Sequence, residues 1–362
     1  MGGVFRCTLL AGLTLALTAW TSGCGVKAPP SGGDENLPNA NAGPFRVLRE
    51  GEMPPKDRIF PYAIRRKGTR NPCALDVDGR SDTTGVMLYL AASEGIAPGE
   101  PPVMILRYDA DDGRSFNPRD ADATVLEPSE SWEGGVVDAP SVLRVGDEIW
   151  MYYAAAGGIG LATSSDGTNF TKRSGPVFGA SMGGWANGAI PSDPSVVMMH
   201  DGSFRMFYEA GVGIGEARSN DGIAWQTVSE QPAIWPVPPP DFPAPEEDSV
   251  YEPFDDVSVG DPVAVLDESA LGRQILRVYY AGSNRIGLWS LGMAARYVGE
   301  TTLQRAYGQV LGNSFAPKGP SVLVFRDFTM LYFTAPEDDR DDTSAPAIGI
   351  GVAPATVSLT LE

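Results

Sequence analysis

The sequence predicts an all-β chain folded as a five-bladed β-propeller of four-stranded antiparallel blades, spanning about residues 46–362. A proline-led apolar segment recurs as DAPSV (138–142), SDPSV (192–196), GDPVAV (260–265) and KGPSV (318–322). Its prolines, Pro140, Pro194, Pro262 and Pro320, lie 54, 68 and 58 residues apart. Each copy is followed by a turn and a second segment ending in aromatics, and helical periodicity is almost absent. One motif order returning at blade-sized intervals points to a radial array of small sheets rather than a sandwich.

From the N-terminus, residues 8–20 (TLLAGLTLALTAW) form an apolar run of 13 behind Arg6. That is too short for a membrane-spanning helix and reads as a secretory leader. The run stops at TSGC, which resembles the lipobox of bacterial lipoproteins. The resemblance implies cleavage after residue 23 and acylation of the Cys24 thiol. The boundaries are a leader over 1–23, a tether over 24–45 and the propeller beyond. GVKAPPSGGDENLPNANAGP (25–44) is too rich in Pro, Gly, Asn and Ser to bury a core and reads as a disordered spacer. The expected location is the bacterial cell envelope, lipid-anchored and facing the periplasm or the exterior.

The blades follow. The second segments are MLYLAA (87–92), MYYAA (151–155), MFYEA (206–210), VYYAG (278–282) and MLYFTA (330–335). Third segments on a GIG or RIG theme come next, as GIGLATSSDGTNF, GIGEARSNDGIAW and RIGLWS. Two of them end in Asp-Gly, read as a two-residue hairpin turn, with an aromatic three residues beyond the glycine. NPCALDV (71–77) and DADDGRSF (109–116) supply a weaker first copy. The proline-led segment, short and apolar, is expected innermost in every blade.

Composition limits the chemistry. Removing Arg6 with the leader takes the net charge from −19 to −20, which repels phosphate backbones and excludes nucleic acid as a partner. With Cys24 acylated, Cys73 is the one free cysteine, and His200 is the only histidine. Neither a multi-histidine nor a cysteine-rich metal site can form, and a Ser-His-Asp triad would have to be built on His200. No cofactor or metal is expected, and a monomer is. Any catalysis is expected to use carboxylates. DVDGRSD (76–82) and PEDDRDD (336–342) lack the spacing of a calcium loop and read as solvated hairpin tips.

Innermost strands opening with Asp-Pro, second strands ending YY-x-G and S-x-DG-x-x-W turns resemble the five-bladed glycosidase superfamily, glycoside hydrolase families 43, 32 and 130. The resemblance covers the whole propeller and implies a site where the innermost strands meet the channel rim. The residue before each proline is then Asn71, Ala139, Asp193, Asp261 or Gly319, and the one before that is Arg70, Asp138, Ser192, Gly260 or Lys318. In family 43 the first-blade position carries an aspartate general base, where this chain has Asn71. That role is lost or moved to Asp76 or Asp78. Asp193 matches the third-blade aspartate. The fourth-blade general acid, a glutamate, corresponds to Gly260 with Asp261 one step away. Each aspartate can equally be a turn residue capping backbone amides.

Counting back from the turn HDGS (200–203) places Asp193 opposite Ala210 and beside Glu209, whose position in the other blades is Leu90, Ala154, Ala281 or Phe333. Two neighbouring carboxylates raise the proton affinity of one, as a general acid requires; a solvated Glu209 paired with Arg205 or Arg218 is the other reading. Trp132, Trp185 and Trp235 with Phe242 and Tyr251 precede successive inner strands and offer sugar-stacking faces. Arg65, Arg66, Lys67 and Arg70 form a positive cluster suited to an anionic group or to balancing nearby acids. The candidate catalytic set is Asp193, Glu209, Asp138 and Asp261; the candidate substrate-binding set is Asn71, Arg70, Trp132 and Trp185. Two functions remain open. One is a lipoprotein that recognises an oligo- or polysaccharide and hydrolyses it, with inversion by resemblance. The other is a catalytically inactive scaffold or protein-interaction propeller.

Overall fold

A computed structural model describes residues 45–354 apart from 48–61, 65–67, 78–84, 96–98, 115, 117–123, 181–183, 238–252, 269–272, 307, 314–315, 326–327 and 339–340. The leader, Cys24 and the tether lie outside the described residues, as do Arg65, Arg66, Lys67, Asp78, Phe242 and Tyr251.

Two short N-terminal strands, β1 (Arg46–Val47) and β2 (Tyr62–Ile64), precede the repeats. Blade one is β3 (Thr69–Asp76), β4 (Val86–Ala92), β5 (Met104–Ala110) and β6 (Thr124–Leu126). Blade two is β7 (Asp138–Val145), β8 (Glu148–Ala155), β9 (Gly158–Ser164) and β10 (Thr171–Lys172). Blade three is β11 (Ser192–Met198), β12 (Phe204–Ala210), β13 (Gly213–Ser219) and β14 (Gln226–Thr227). Blade four is β15 (Ser258–Glu268), β16 (Gln274–Ser283), β17 (Trp289–Tyr297) and β18 (Gln304–Arg305). Blade five is β19 (Lys318–Val324), β20 (Phe328–Asp338) and β21 (Asp341–Pro354), and β1 and β2 both pair with β21. The N-terminal strand therefore closes the ring. The proline-led strands are innermost, and they touch in the cycle β3, β7, β11, β15, β19 and back to β3. Val142, Val196 and Val322 are buried at this axis.

The apolar core is divided rather than central. Five clusters of buried side chains each lie between two neighbouring blades. A second strand is thus covered on both faces, which is why β4 is buried at all seven positions and reads as a continuous apolar run.

Three repeated contacts lock the wedges, and each explains a motif. The Ser of PSV is one. Ser141 Oγ accepts the Val196 amide at 2.9 Å, Ser195 Oγ that of Ala264 at 2.8 Å, and Ser321 Oγ that of Ala74 at 2.9 Å. Cys73 Sγ takes the same place toward the Val142 amide at 3.2 Å, and burial pushes its thiol up to about 11, so it is a packed staple and not a nucleophile.

The Asp-Gly segments are another. They form six-residue loops between β9 and β10 and between β13 and β14, not two-residue hairpins. Asp166 and Asp221 each accept two backbone amides inside the loop. The glycine carbonyls receive a tyrosine hydroxyl from the preceding blade, Tyr89 to Gly167 at 2.9 Å and Tyr152 to Gly222 at 2.7 Å. Phe170 and Trp225, the aromatics beyond the glycine, then meet those same tyrosines edge-on. Tyr332 reaches Gly113 and Phe116 alike, joining blade five to blade one.

The third contact is the second glycine of GIG, Gly160 and Gly215, and its counterpart Gly349 in the AIG of blade five. They pair with Tyr153, Tyr208 and Phe333, whose rings lie across them where a Cβ would stand.

Candidate functional site

Every inner strand begins with a bulge at its proline, the ladder register shifting by one residue there. The residue before the proline has positive φ in all five blades: Asn71 49°, Ala139 44°, Asp193 46°, Asp261 47° and Gly319 47°. Asn, Asp and Gly are the residues that tolerate this region; Ala139 occupies it at a steric cost. The bulge corrects two register expectations. Asp193, expected opposite Ala210, sits inside the bulge, and it is Ser192 that stands opposite Glu209. The positions equivalent to Glu209 are Ala91, Ala154, Ala281 and Thr334, not Leu90 or Phe333.

The kink turns the five residues toward one end of the channel. They and their prolines line a cavity of about 30 Å³. That volume admits water but no sugar ring, so a larger ligand must sit over the mouth.

Around it, Asn71 Nδ2 donates to Asp138 Oδ1 at 2.9 Å and to Asp193 Oδ1 at 3.4 Å. Glu209 Oε2 accepts the Asp261 amide at 3.0 Å, and Asp261 Oδ2 accepts the Gly319 amide at 3.0 Å. Thr334 Oγ1 accepts the Asn71 amide at 2.9 Å, so the two polar residues at the Glu209 position do one job, capping the kinked amide of the next blade. Oxygens of Asp193, Glu209 and Asp261 lie within 4.8 Å of one another. The all-oxygen trio is also the one place among the described residues suited to a hard cation such as calcium.

Burial is the main cause of raised proton affinity here. It lifts Asp193 well above the carboxylate range, with the charges of Asp261, Glu209 and Asp138 adding to it. Glu209 rises to about 7 by burial and the Asp261 charge, against the Asp261 amide and Lys318. Asp261 is raised by burial against the Gly319 amide and Lys318, and Asp138 by burial against Arg70. Arg70 and Lys318 thus flank the acids, one on each side. Arg70 also donates to Ser93 and to the Glu100 carbonyl, and the Lys318 ammonium lies 4.2 Å from the Trp289 ring centre. Lys318 and Thr334 were not picked from sequence, although Lys318 stands at the position where Arg70 and Asp138 were.

Both glycines of the set have a spatial cause. A Cβ on Gly260 would overlap the Glu209 carboxylate, and one on Gly319 would be 2.6 Å from Asn71 Oδ1. Glu209 therefore fills, from β12, the space that a side chain at 260 would need. Asp76 cannot replace Asn71 as a base, because it stands five residues further along β3, about 16 Å away.

The tryptophans sit on the same end of the propeller but pack on their own blades. Trp132, half-buried, lies over Tyr153 with ring centres 6.0 Å apart; Trp185 stacks on Tyr208 at 6.4 Å and meets Trp235 edge-on at 6.2 Å. In blade four Phe254 covers Tyr280 in the same way. The residue after two of these aromatics is a buried acid. Glu133 accepts from Tyr153 at 2.7 Å and Lys172 at 2.6 Å, and Asp255 from Tyr280 at 2.9 Å and Arg305 at 2.6 Å. Burial opposes the Glu133 charge, but Lys172 and the loop amides hold it below the usual range. These two acids are matched by cations and pin loops, whereas burial pushes the mouth acids toward their protonated forms.

No protein-family model and no curated protein matches this chain. Solved structures do. A glycoside hydrolase superposes with a TM-score of 0.61 at 13% identity, covering 84% of this chain and 93% of that one. An endo-1,4-β-xylanase from Bacteroides thetaiotaomicron gives 0.57 at 12%, covering 81% and 96%. A thermostable family-43 glycoside hydrolase gives 0.57 at 14%, covering 82% and 96%. The fold is that of the glycosidase-like five-bladed propellers.

Proposed function

We propose that the protein is a lipid-anchored envelope protein, tethered through Cys24, that binds a carbohydrate over the channel mouth. The observation that carries this reading is the convergence of Asn71, Asp138, Asp193, Glu209 and Asp261 at one end of the channel. Carboxyls that hold protons at neutral pH donate and accept hydrogen bonds, as does the Asn71 carboxamide, which suits them to sugar hydroxyls. The fold shared with glycoside hydrolases, an endo-1,4-β-xylanase among them, supports the same class of ligand.

The spacing favours binding over the inverting hydrolysis that the resemblance implies. An inverting pair stands about 6.5–9.5 Å apart to hold a water between acid and base. Asp193, Glu209 and Asp261 are bunched within 4.8 Å, and Asn71 stands where the base belongs. One observation supports hydrolysis as a second reading: Glu209, raised to about 7, holds a proton it could give to a leaving oxygen.

The test is a polysaccharide panel containing xylan, arabinan and pectin, scored for retention and for released reducing ends. Asp193→Ala should weaken retention roughly five- to a hundredfold, the range for losing a charge-assisted hydrogen bond. Wild-type retention by Asp193→Ala would refute the site. Reducing ends released by the wild type and not by Glu209→Gln would establish the second reading.

A further inference from the structure

On the same end of the propeller, outside the acid cluster, Trp235 is a large aromatic residue left half exposed. Ile234 bridges to Ile214 at the start of β13, which fixes the backbone beside it. Gly213 has no Cβ, and one placed there would be 2.8 Å from Trp235 Cε3, so the ring lies against bare strand. Trp185 supports its edge. The Trp235 carbonyl accepts from Arg305, whose other nitrogen is on Asp255. So supported, the indole is still 49% exposed. It borders a groove of about 370 Å³ between the 232–237 segment and blade four, walled by Ile234, Pro236, Leu303 and Arg305. That volume falls in the range of ligand sites, about 300–1,000 Å³.

The groove lies two strand steps from the mouth: Glu209 pairs with Ile214, and Ile214 bridges to Ile234, the residue before Trp235. We infer that the Trp235 groove is a second sugar subsite, making the protein a reader of extended neutral polysaccharide rather than of a single residue. A half-exposed aromatic ring beside a guanidinium suits a sugar ring, with C–H bonds on the indole and hydroxyls accepting from Arg305. The Arg305 charge is already matched by Asp255, so the groove offers no unmatched cation and favours a neutral ring over a uronate.

This inference rests on the carbohydrate-binding reading, and its test separates the two. Isothermal titration of the full mature chain with xylo- and arabino-oligosaccharides of two to six sugars should show affinity rising with length. Trp235→Ala should remove that rise, about tenfold on the longest ligand, and leave the shortest unaffected. Trp235→Phe, which keeps a flat face, should retain part of it, and unchanged melting of both variants would exclude a folding effect. A length dependence that survives Trp235→Ala, or no length dependence in the wild type, overturns the subsite while Asp193→Ala still judges the mouth. Binding lost in Trp235→Ala but not in Asp193→Ala would keep the subsite and refute the mouth. No binding of either series refutes both.

Discussion

Replacing Glu209 by glutamine tests whether burial raises the proton affinity of the acids at the mouth. Burial and the Asp261 charge raise Glu209 from its ordinary 4.5 to about 7. The folded chain therefore holds this proton more tightly than the unfolded chain. Stability contributed by protonation is full below about 4.5 and is lost as pH rises through about 7. A difference of that size corresponds to about 3 kcal/mol. Glutamine cannot ionise, so the variant escapes the loss. The Asp261 amide bond to the carboxylate already acts within that shift, so the expectation is Glu209→Gln more stable than wild type by ~3 kcal/mol at pH 8, the difference shrinking to below ~1 kcal/mol at pH 5. Unfolding entropy of about 2.1 cal/mol/K per residue over ~300 residues makes this a shift of ~5 °C in Tm at pH 8. Calorimetric melts of both proteins from pH 5 to 8 measure it. A residual slope of the same sign should persist in the variant, because Asp193 and Asp261 are raised too. Parallel Tm–pH curves for the two proteins would refute the reasoning.

Other variants probe the scaffold. Gly260→Ala should push the Glu209 carboxylate off the Asp261 amide, lowering Tm and glycan retention together; an unchanged pair of readouts would deny Glu209 its niche. Ser141→Ala and Ser195→Ala each leave a buried amide without its side-chain acceptor and should cost about 1–3 kcal/mol in denaturant unfolding, whereas Ser174→Ala, at an exposed position, should be near neutral. Ala139→Gly relieves a left-handed backbone and should raise stability by about 1 kcal/mol by the same measurement. Cys24→Ala should move the protein from the membrane fraction to the soluble one, and an intact mass without an acyl chain on the wild type would rule out the anchor.

By itself the sequence determined the blade count and strand order. Pro140, Pro194, Pro262 and Pro320 mark inner strands because a residue at the start of a strand gives up no ladder amide. Tyr89, Tyr152 and Tyr332 mark second strands because only a strand covered on both faces accommodates such runs. The candidate acids Asp138, Asp193 and Asp261 were legible for the same reason, as the variable residues on a constant frame. What needed tertiary structure was everything set by the bulge and by the neighbouring blade. Counting from the turn put Asp193 opposite Ala210. The β11–β12 ladder runs one residue off that count from the turn onward, and the bulge, set by a positive φ that pattern counting does not see, adds a second residue and leaves Asp193 outside the ladder. Gly260 read as a lost acid; in space it is the gap that Glu209 of the adjacent blade occupies. The Ser and Asp-Gly motifs read as strand and turn signals. Each in fact bonds to a residue 55 to 247 positions away, a distance in sequence that only ring closure makes short.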